Sequence, residues 1–183
     1  MLSNIQIEDL AKKMEIPLET PTYKDQLKTT GKFKHNRGYI VNLHDKNDEF
    51  GNFNEGSHWV CFYVCEYKNG KKAGIYFDSY GMPPPTDIQE YVGTELPHNT
   101  KDIQSLMNNA CGFYCLALLH FVTAFPKRSG DLYSDVEAFL SLFDDLNTSC
   151  DWQKNEFLLK KFFQPVELGK NITNIDFESI DDR

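Results

Sequence analysis

The chain lacks any run of about 18 or more apolar residues, the length a helix needs to cross a bilayer, so no membrane span is expected. Its start, MLSNIQIEDLAKK, lacks the apolar block of a secretory signal. Positive charge is scarce. Nineteen Lys and Arg stand against 27 Asp and Glu, for a formal net charge of −8 and a pI near 5.1, which argues against a broad nucleic-acid-binding face. Internal repeats and low-complexity tracts are missing. The five cysteines are odd in number and form no C-x2-C knuckle. With no secretory signal, they are expected to be free thiols in a reducing, intracellular compartment. What remains is the composition of a folded protein: 40% hydrophobic and 14% aromatic residues in 183. That is enough for a single domain over 1–183 with a proper core.

The stretch from Gln104 to Val122 organises the chain. A polar loop with Asn108 and Asn109 leads into Cys111-Gly112 and then a long apolar run with helical spacing on both faces, the pattern of a helix buried on most sides. Asn108 or Asn109 is expected to cap its start and Pro126 to mark its end. Cys111 then opens a buried helix, where the helix dipole favours a thiolate. Such a cysteine calls for a base, an orienting acid and an oxyanion donor elsewhere.

Taken in order, residues 5–14 place Ile5, Leu10 and Met14 on one helical stripe, capped near Ser3 or Asn4. Residues 15–38, with Pro17, Pro21, Gly31 and Gly38, read as an irregular surface segment. Residues 39–43 (YIVNL) are a short strand, and the polar residues 44–57 a long loop. His58 opens a β-branched and aromatic run to Tyr67 that should be a central strand. Lys68-Asn69-Gly70-Lys71 signals a hairpin, and residues 73–80 its antiparallel partner. A helix begun by Thr86 is expected over 86–93, at most a short strand over 95–103, and helices over 134–146 and 155–163. The acidic tail from Val166 is expected to be loosely held. Strands and helices in this mixture describe an α+β domain.

His58 and Asp78 flank the hairpin, so a ladder brings them close, and a carboxylate beside an imidazole orients the ring and stabilises its charged form. Gln104, seven positions before Cys111, has side-chain N–H groups to offer an oxyanion beside the Cys111 backbone N–H. Singly, each residue has a plainer reading. A histidine at a strand start is more often an edge residue, an aspartate before Ser-Tyr-Gly a turn former, and a buried cysteine such as Cys115 a small hydrophobe. Trp59 alone is a core filler. The weight comes from the set in order. Other readings stay open: a metal site from the Cys61/Cys65 and Cys111/Cys115 pairs, disfavoured because both pairs lie in apolar elements; a chymotrypsin-like cysteine protease, disfavoured by the helix after Cys111; and a binding module with a dead site.

The order His, Asp, Gln, Cys resembles the adenain and SUMO-protease group of cysteine peptidases. The match is closer to the adenain branch, the adenovirus maturation proteases. It is carried by Gln104-Ser105 through Asn108, Ala110, Cys111, Gly112, Cys115, Leu119, His120 and Phe121, by Ile40-Val41-Asn42 before His58-Trp59, and by Phe77-Asp78-Ser79-Tyr80-Gly81. It spans about residues 39 to 125. Similar short proteases occur in Polinton-type elements and virophages. The resemblance implies a papain-like, adenain-like cysteine proteinase fold, with a mixed central β-sheet flanked by helices. It also implies His58 as general base and acid, Asp78 as orienting carboxylate, Gln104 as oxyanion donor, Cys111 as nucleophile and Trp59 as an aromatic wall that narrows the approach to small residues, often glycine. The expected activity is endopeptidase cleavage of viral capsid precursor proteins during maturation, by a monomer without cofactor or metal. It would act in the host cytoplasm or viral factory, or packaged in the virion. Removal of SUMO- or ubiquitin-like modifiers is the alternative. The chain departs from adenain in its acidity and in having no cysteine between Asp78 and Cys111 to tether a peptide. DNA and peptide activators are therefore not expected. The 20 positions from His58 to Asp78 exceed the family interval, and the Lys68–Lys72 turn absorbs the excess.

Overall fold

β-Branched and aromatic residues run together at four places, and each becomes a strand: β1 (Thr22–Tyr23), β2 (Gly38–Asn42), β3 (Trp59–Glu66) and β4 (Lys72–Phe77). The computed structural model describes residues 1–106, 108–124, 131–148 and 150–167. The strands lie in the order β1-β2-β3-β4. β1 runs parallel to β2 and the other two pairs are antiparallel. Among the described residues five helices surround this mixed sheet: α1 (Asn4–Lys13), α2 (Thr86–Val92), α3 (Cys111–Ala124), α4 (Leu132–Ser141) and α5 (Asp151–Glu167). The protein is therefore α+β, with a four-stranded mixed sheet flanked by helices.

The central strand is apolar on both faces because both are covered. Ile40, Trp59, Cys61, Tyr63, Ile75 and Phe77 meet α3, with α1, α4 and α5 closing the layer around it. On the opposite face Tyr39, Val41, Val60, Phe62 and Tyr76 lie beneath Leu27, from a 3-10 helix over Lys24–Thr29, and Ile88 of α2. Register holds Ile40, Cys61 and Phe77 in one row across the sheet. α3 has no polar side. Every residue from Cys111 to Val122 except Phe113 is buried, and burying each large apolar side chain of that kind stabilises by about 1.5–3 kcal/mol. A helix enclosed in this way is a fixed platform for whatever stands at its first residue.

Several local expectations differ from what forms. The segment 15–38 is not wholly irregular, since it carries β1 and the 3-10 helix. Residues 95–103 contribute only a single parallel bridge, Tyr76 to His98. α4 starts earlier than the periodicity suggests, because Asp131 caps it by accepting from the Ser134 N–H, and it stops earlier, at Ser141. α5 begins at Asp151 and runs through Pro165 and the buried Val166, so Val166 belongs to the core. Pro126 and the tail beyond residue 167 lie outside the described residues.

Candidate active site

Three loops and one helix start converge at the same end of the sheet. The β2–β3 connection delivers His58 one residue ahead of β3. Asp78 follows β4 directly, and the chain from Ser79 leads away from it. The 104–110 loop presents Gln104 and then enters α3 at Cys111. None of the four side chains is open to solvent: His58 is 9% exposed, Asp78 1%, Gln104 1% and Cys111 2%. Polar groups buried to this extent need partners: His58 and Asp78 pair with each other, and Gln104 with Ser79, Tyr80 and Asn108.

His58 Nε2 lies 2.7 Å from Asp78 Oδ1. A carboxylate only accepts, so Nε2 carries a proton and donates. That leaves Nδ1 as the ring nitrogen available to Cys111, whose side chain is near enough to raise the His58 pKa. The Cys111 sulfur also accepts from the Trp59 backbone N–H at 3.4 Å, which ties the start of β3 to the start of α3. Burial is the largest influence on His58 and pulls its pKa down. The hydrogen bond to Asp78, the nearby Cys111 side chain and the charges of both outweigh it, so the imidazole is pushed up to about 9. At neutral pH the ring is therefore an imidazolium held between two acidic partners. Tyr80 stacks on it with ring centroids 4.5 Å apart and an interplanar angle of 22°. Burial, followed by the charges of Cys111 and Asp78, holds the Tyr80 phenol above its ordinary value.

Asp78 is itself braced. Its Oδ1 also accepts from the Tyr80 N–H at 2.8 Å. Asn99, 5% exposed, clamps its backbone: Asn99 Oδ1 accepts from the Asp78 N–H at 3.0 Å and Asn99 Nδ2 donates to the Asp78 carbonyl at 2.6 Å. Gly81 closes the turn at φ +71°, where a side chain would collide with the Thr100 carbonyl at 2.7 Å.

Gln104 is oriented by three contacts. Ser79 Oγ donates to its Oε1 at 2.7 Å, and its Nε2 donates to the Asn108 carbonyl at 3.1 Å and to the Tyr80 hydroxyl at 3.2 Å. Because the Asn108 carbonyl only accepts, the amide cannot be flipped. The expected helix cap differs. Ala110 takes the cap position, since its carbonyl accepts from the Phe113 and Tyr114 N–H groups. Its methyl group has no oxygen to offer the first turn. Asn108 instead accepts from the Ala110 N–H, outside the helix. As the first residue of α3, Cys111 has a backbone N–H with no intrahelical acceptor. A carbonyl oxygen brought to the Cys111 sulfur thus finds the Cys111 backbone N–H beside it.

Trp59 lies beside this site but is covered. It is 2% exposed, and its indole N–H donates to the Leu2 carbonyl at 2.8 Å. Gly112, next to the nucleophile, has room for no side chain without touching Leu2 at 3.2 Å and Trp59 at 3.4 Å. A wall made by Trp59 is therefore shared with Leu2.

No protein-family model matches this chain, and no curated protein matches it in sequence. The candidate site consequently rests on its own geometry. Of the four residues expected to act together, His58 lies against Asp78 and beside Cys111, while Gln104 reaches them through Tyr80, which stacks on His58. Cys115 is fully buried one turn into α3, its thiol donating to the Trp59 carbonyl and pushed well above its ordinary pKa by burial, then by Cys61 beside it. Among the described residues no group of three or more His, Cys, Asp or Glu side chains is placed to hold a metal ion, and no helix is long and apolar enough to cross a membrane. Sequence reasoning missed Asn99, Ser79 and Tyr80 as supports. Ser79 and Tyr80 stood in the Asp-Ser-Tyr-Gly string that carried the resemblance. Asn99 had no signal, being one polar residue in a stretch without periodicity.

Proposed function

We propose that this protein is a cysteine endopeptidase of the adenain-like kind, with a papain-like arrangement of its catalytic groups. The observation that carries the proposal is His58 hydrogen-bonded to Asp78 and set beside Cys111 at the start of a buried helix, with Gln104 Nε2 on the hydroxyl of Tyr80, whose ring stacks on His58. The Cys111 thiolate attacks the scissile carbonyl carbon. The developing oxyanion draws the second Gln104 Nε2 hydrogen from Tyr80, since a charged oxygen is a stronger acceptor than a neutral phenol. It also receives the Cys111 N–H. The His58 imidazolium gives its Nδ1 proton to the leaving amine. The neutral ring then takes a proton from water as that water attacks the thioester, and Asp78 holds the ring in one tautomer throughout.

The substrates are protein chains cut after small residues, with the wall beside the nucleophile formed by Leu2 over the buried Trp59. The precursor proteins of a viral capsid are the proposed class, with the chain acting as a monomer in a reducing compartment, where its five free cysteines stay reduced. Isopeptidase action on SUMO- or ubiquitin-like modifiers is distinguished by covalent capture on Gly-Gly-terminated modifier probes.

Iodoacetamide treatment of the native protein, followed by mapping of the modified sites, tests the assignment. Cys111 is expected to react faster than Cys61, Cys65, Cys115 and Cys150, and Cys111→Ala to abolish cleavage. Equal rates at all five thiols, or processing by the alanine variant, would refute it.

A further inference from the structure

A second concavity adjoins the nucleophile. A cavity of about 390 Å³ lies between the 108–110 turn and α5, bounded by Asn108, Ala110, Phe113, Glu156, Leu159 and Phe163. We propose that it is a specificity subsite for one large apolar side chain (leucine, methionine or phenylalanine) on the leaving side of the scissile bond. This inference rests on the protease reading above.

Position is the first argument. Ala110 lines the cavity and immediately precedes Cys111, so a side chain seated there belongs to a residue next to the bond being cut. The second argument is chemical. The walls are apolar, with Leu159 and Phe163 at 5% and 4% exposure forming a fixed floor, and Phe113 packs edge-on against Phe163 at 5.1 Å. Two of the polar groups at the edge are already paired with each other, because the Asn108 amide donates to the Glu156 carboxylate. An occupant therefore gains burial and needs no charge of its own. Volume is the third. At about 390 Å³ the cavity is at the small end of the range for ligand sites and takes a large apolar side chain whole.

The side of the bond follows from the two flanks of α3. Gly112 faces Trp59 and Leu2, and Phe113 faces α5. With the small acyl-side residue against Leu2, which covers Trp59, a strand crossing the Cys111 sulfur carries its leaving side toward α5. Occupancy also bears on the oxyanion donor, because Asn108, which bounds the cavity with its side chain, holds Gln104 Nε2 with its carbonyl. Filling the cavity steadies the turn that aims Gln104, so the preference should be read in kcat as well as KM.

The test uses internally quenched peptides with glycine before the bond and each of the two following positions varied. Leucine, methionine or phenylalanine at one of those positions is expected to exceed alanine and aspartate by about tenfold or more in kcat/KM. Lys160, an exposed residue at the rim, gives a variant that blocks the mouth without touching the core. Lys160→Trp is expected to erase the preference while changing cleavage of the alanine peptide, and alkylation of Cys111, by no more than about twofold. Leu159→Ala is expected to move the optimum toward tryptophan and phenylalanine. Cleavage with no leaving-side preference, or a preference untouched in Lys160→Trp, overturns the subsite and leaves the protease reading standing. No cleavage of any peptide together with an inert Cys111 overturns both.

Discussion

Replacing Asp78 with asparagine removes one negative charge 2.7 Å from His58 Nε2 and changes almost nothing in volume. The carboxylate is 1% exposed, so water does not screen the loss. In the native protein burial depresses His58 more than any single partner raises it, and the combined pull of Asp78 and Cys111 lifts it from 6.5 to about 9. That rise corresponds to about 3 kcal/mol favouring the imidazolium. Asparagine retains at best a neutral hydrogen bond, about half as strong as the charged one. With burial then dominant, the midpoint of His58 should fall below 7. The variant also loses tautomer control: a substituted amide whose nitrogen turns toward the ring forces Nε2 to accept and places the proton on Nδ1. Loss of the orienting acid in this way costs on the order of 10⁴-fold in kcat in an analogous triad. The assay is a pH titration of the His58 ring followed by NMR in the native and Asp78→Asn proteins, with kcat measured in parallel. A midpoint that stays near 9 in the variant would refute the reasoning, because Asp78 could not then be what sustains the imidazolium.

Three further outcomes are expected. Stability should depend on pH through the same group. The folded pKa of His58 lies above its unfolded value of 6.5, so its contribution is complete below about pH 6.5 and is lost as pH rises through about 9. Urea midpoints measured between those limits should decline in the native protein and stay flat in Asp78→Asn. Gln104→Ala should lower kcat by about 10²–10³-fold with little change in KM, while iodoacetamide still modifies Cys111 at the native rate. A kcat within a few-fold of native would remove Gln104 from the oxyanion site. Asn99→Ala should destabilise by about 1–3 kcal/mol, since it leaves the buried Asp78 N–H unpaired and the Asp78 carbonyl with only the Gly81 N–H. Denaturant unfolding checks this, and no loss would mean the Asp78 backbone is held by something else.

The elements were legible where side-chain pattern decides them. A β-branched, two-faced run such as Trp59–Val64 can only sit inside a sheet covered on both sides. An unbroken apolar helix such as α3 can only be core, so Cys111 at its first turn followed from the sequence. The hairpin between β3 and β4 was written in Lys68–Lys71, and with it the proximity of His58 to the 78–80 region. Boundaries were less legible, because caps depend on where the chain enters from. Asp131 started α4 early, and Ala110 took the cap position that either asparagine was expected to fill.

What residue types and spacing settled, without any structure, was the chemistry on offer: a cysteine at a helix start, a histidine at a strand start, an acid across a hairpin and a glutamine seven positions upstream. These are local facts, carried by periodicity and turn signals. The encounter of Cys111 with His58 is not local. It joins positions 53 residues apart and exists because α3 packs on the face of β3 that carries Trp59 and Cys61, which sets the sulfur against the Trp59 N–H. The same is true of the clamp by Asn99, the orientation of Gln104 by Ser79, and the cover that Leu2 places on Trp59. Each is a contact between segments with no pattern in common, specified by how the layers stack, and so visible only once they have stacked.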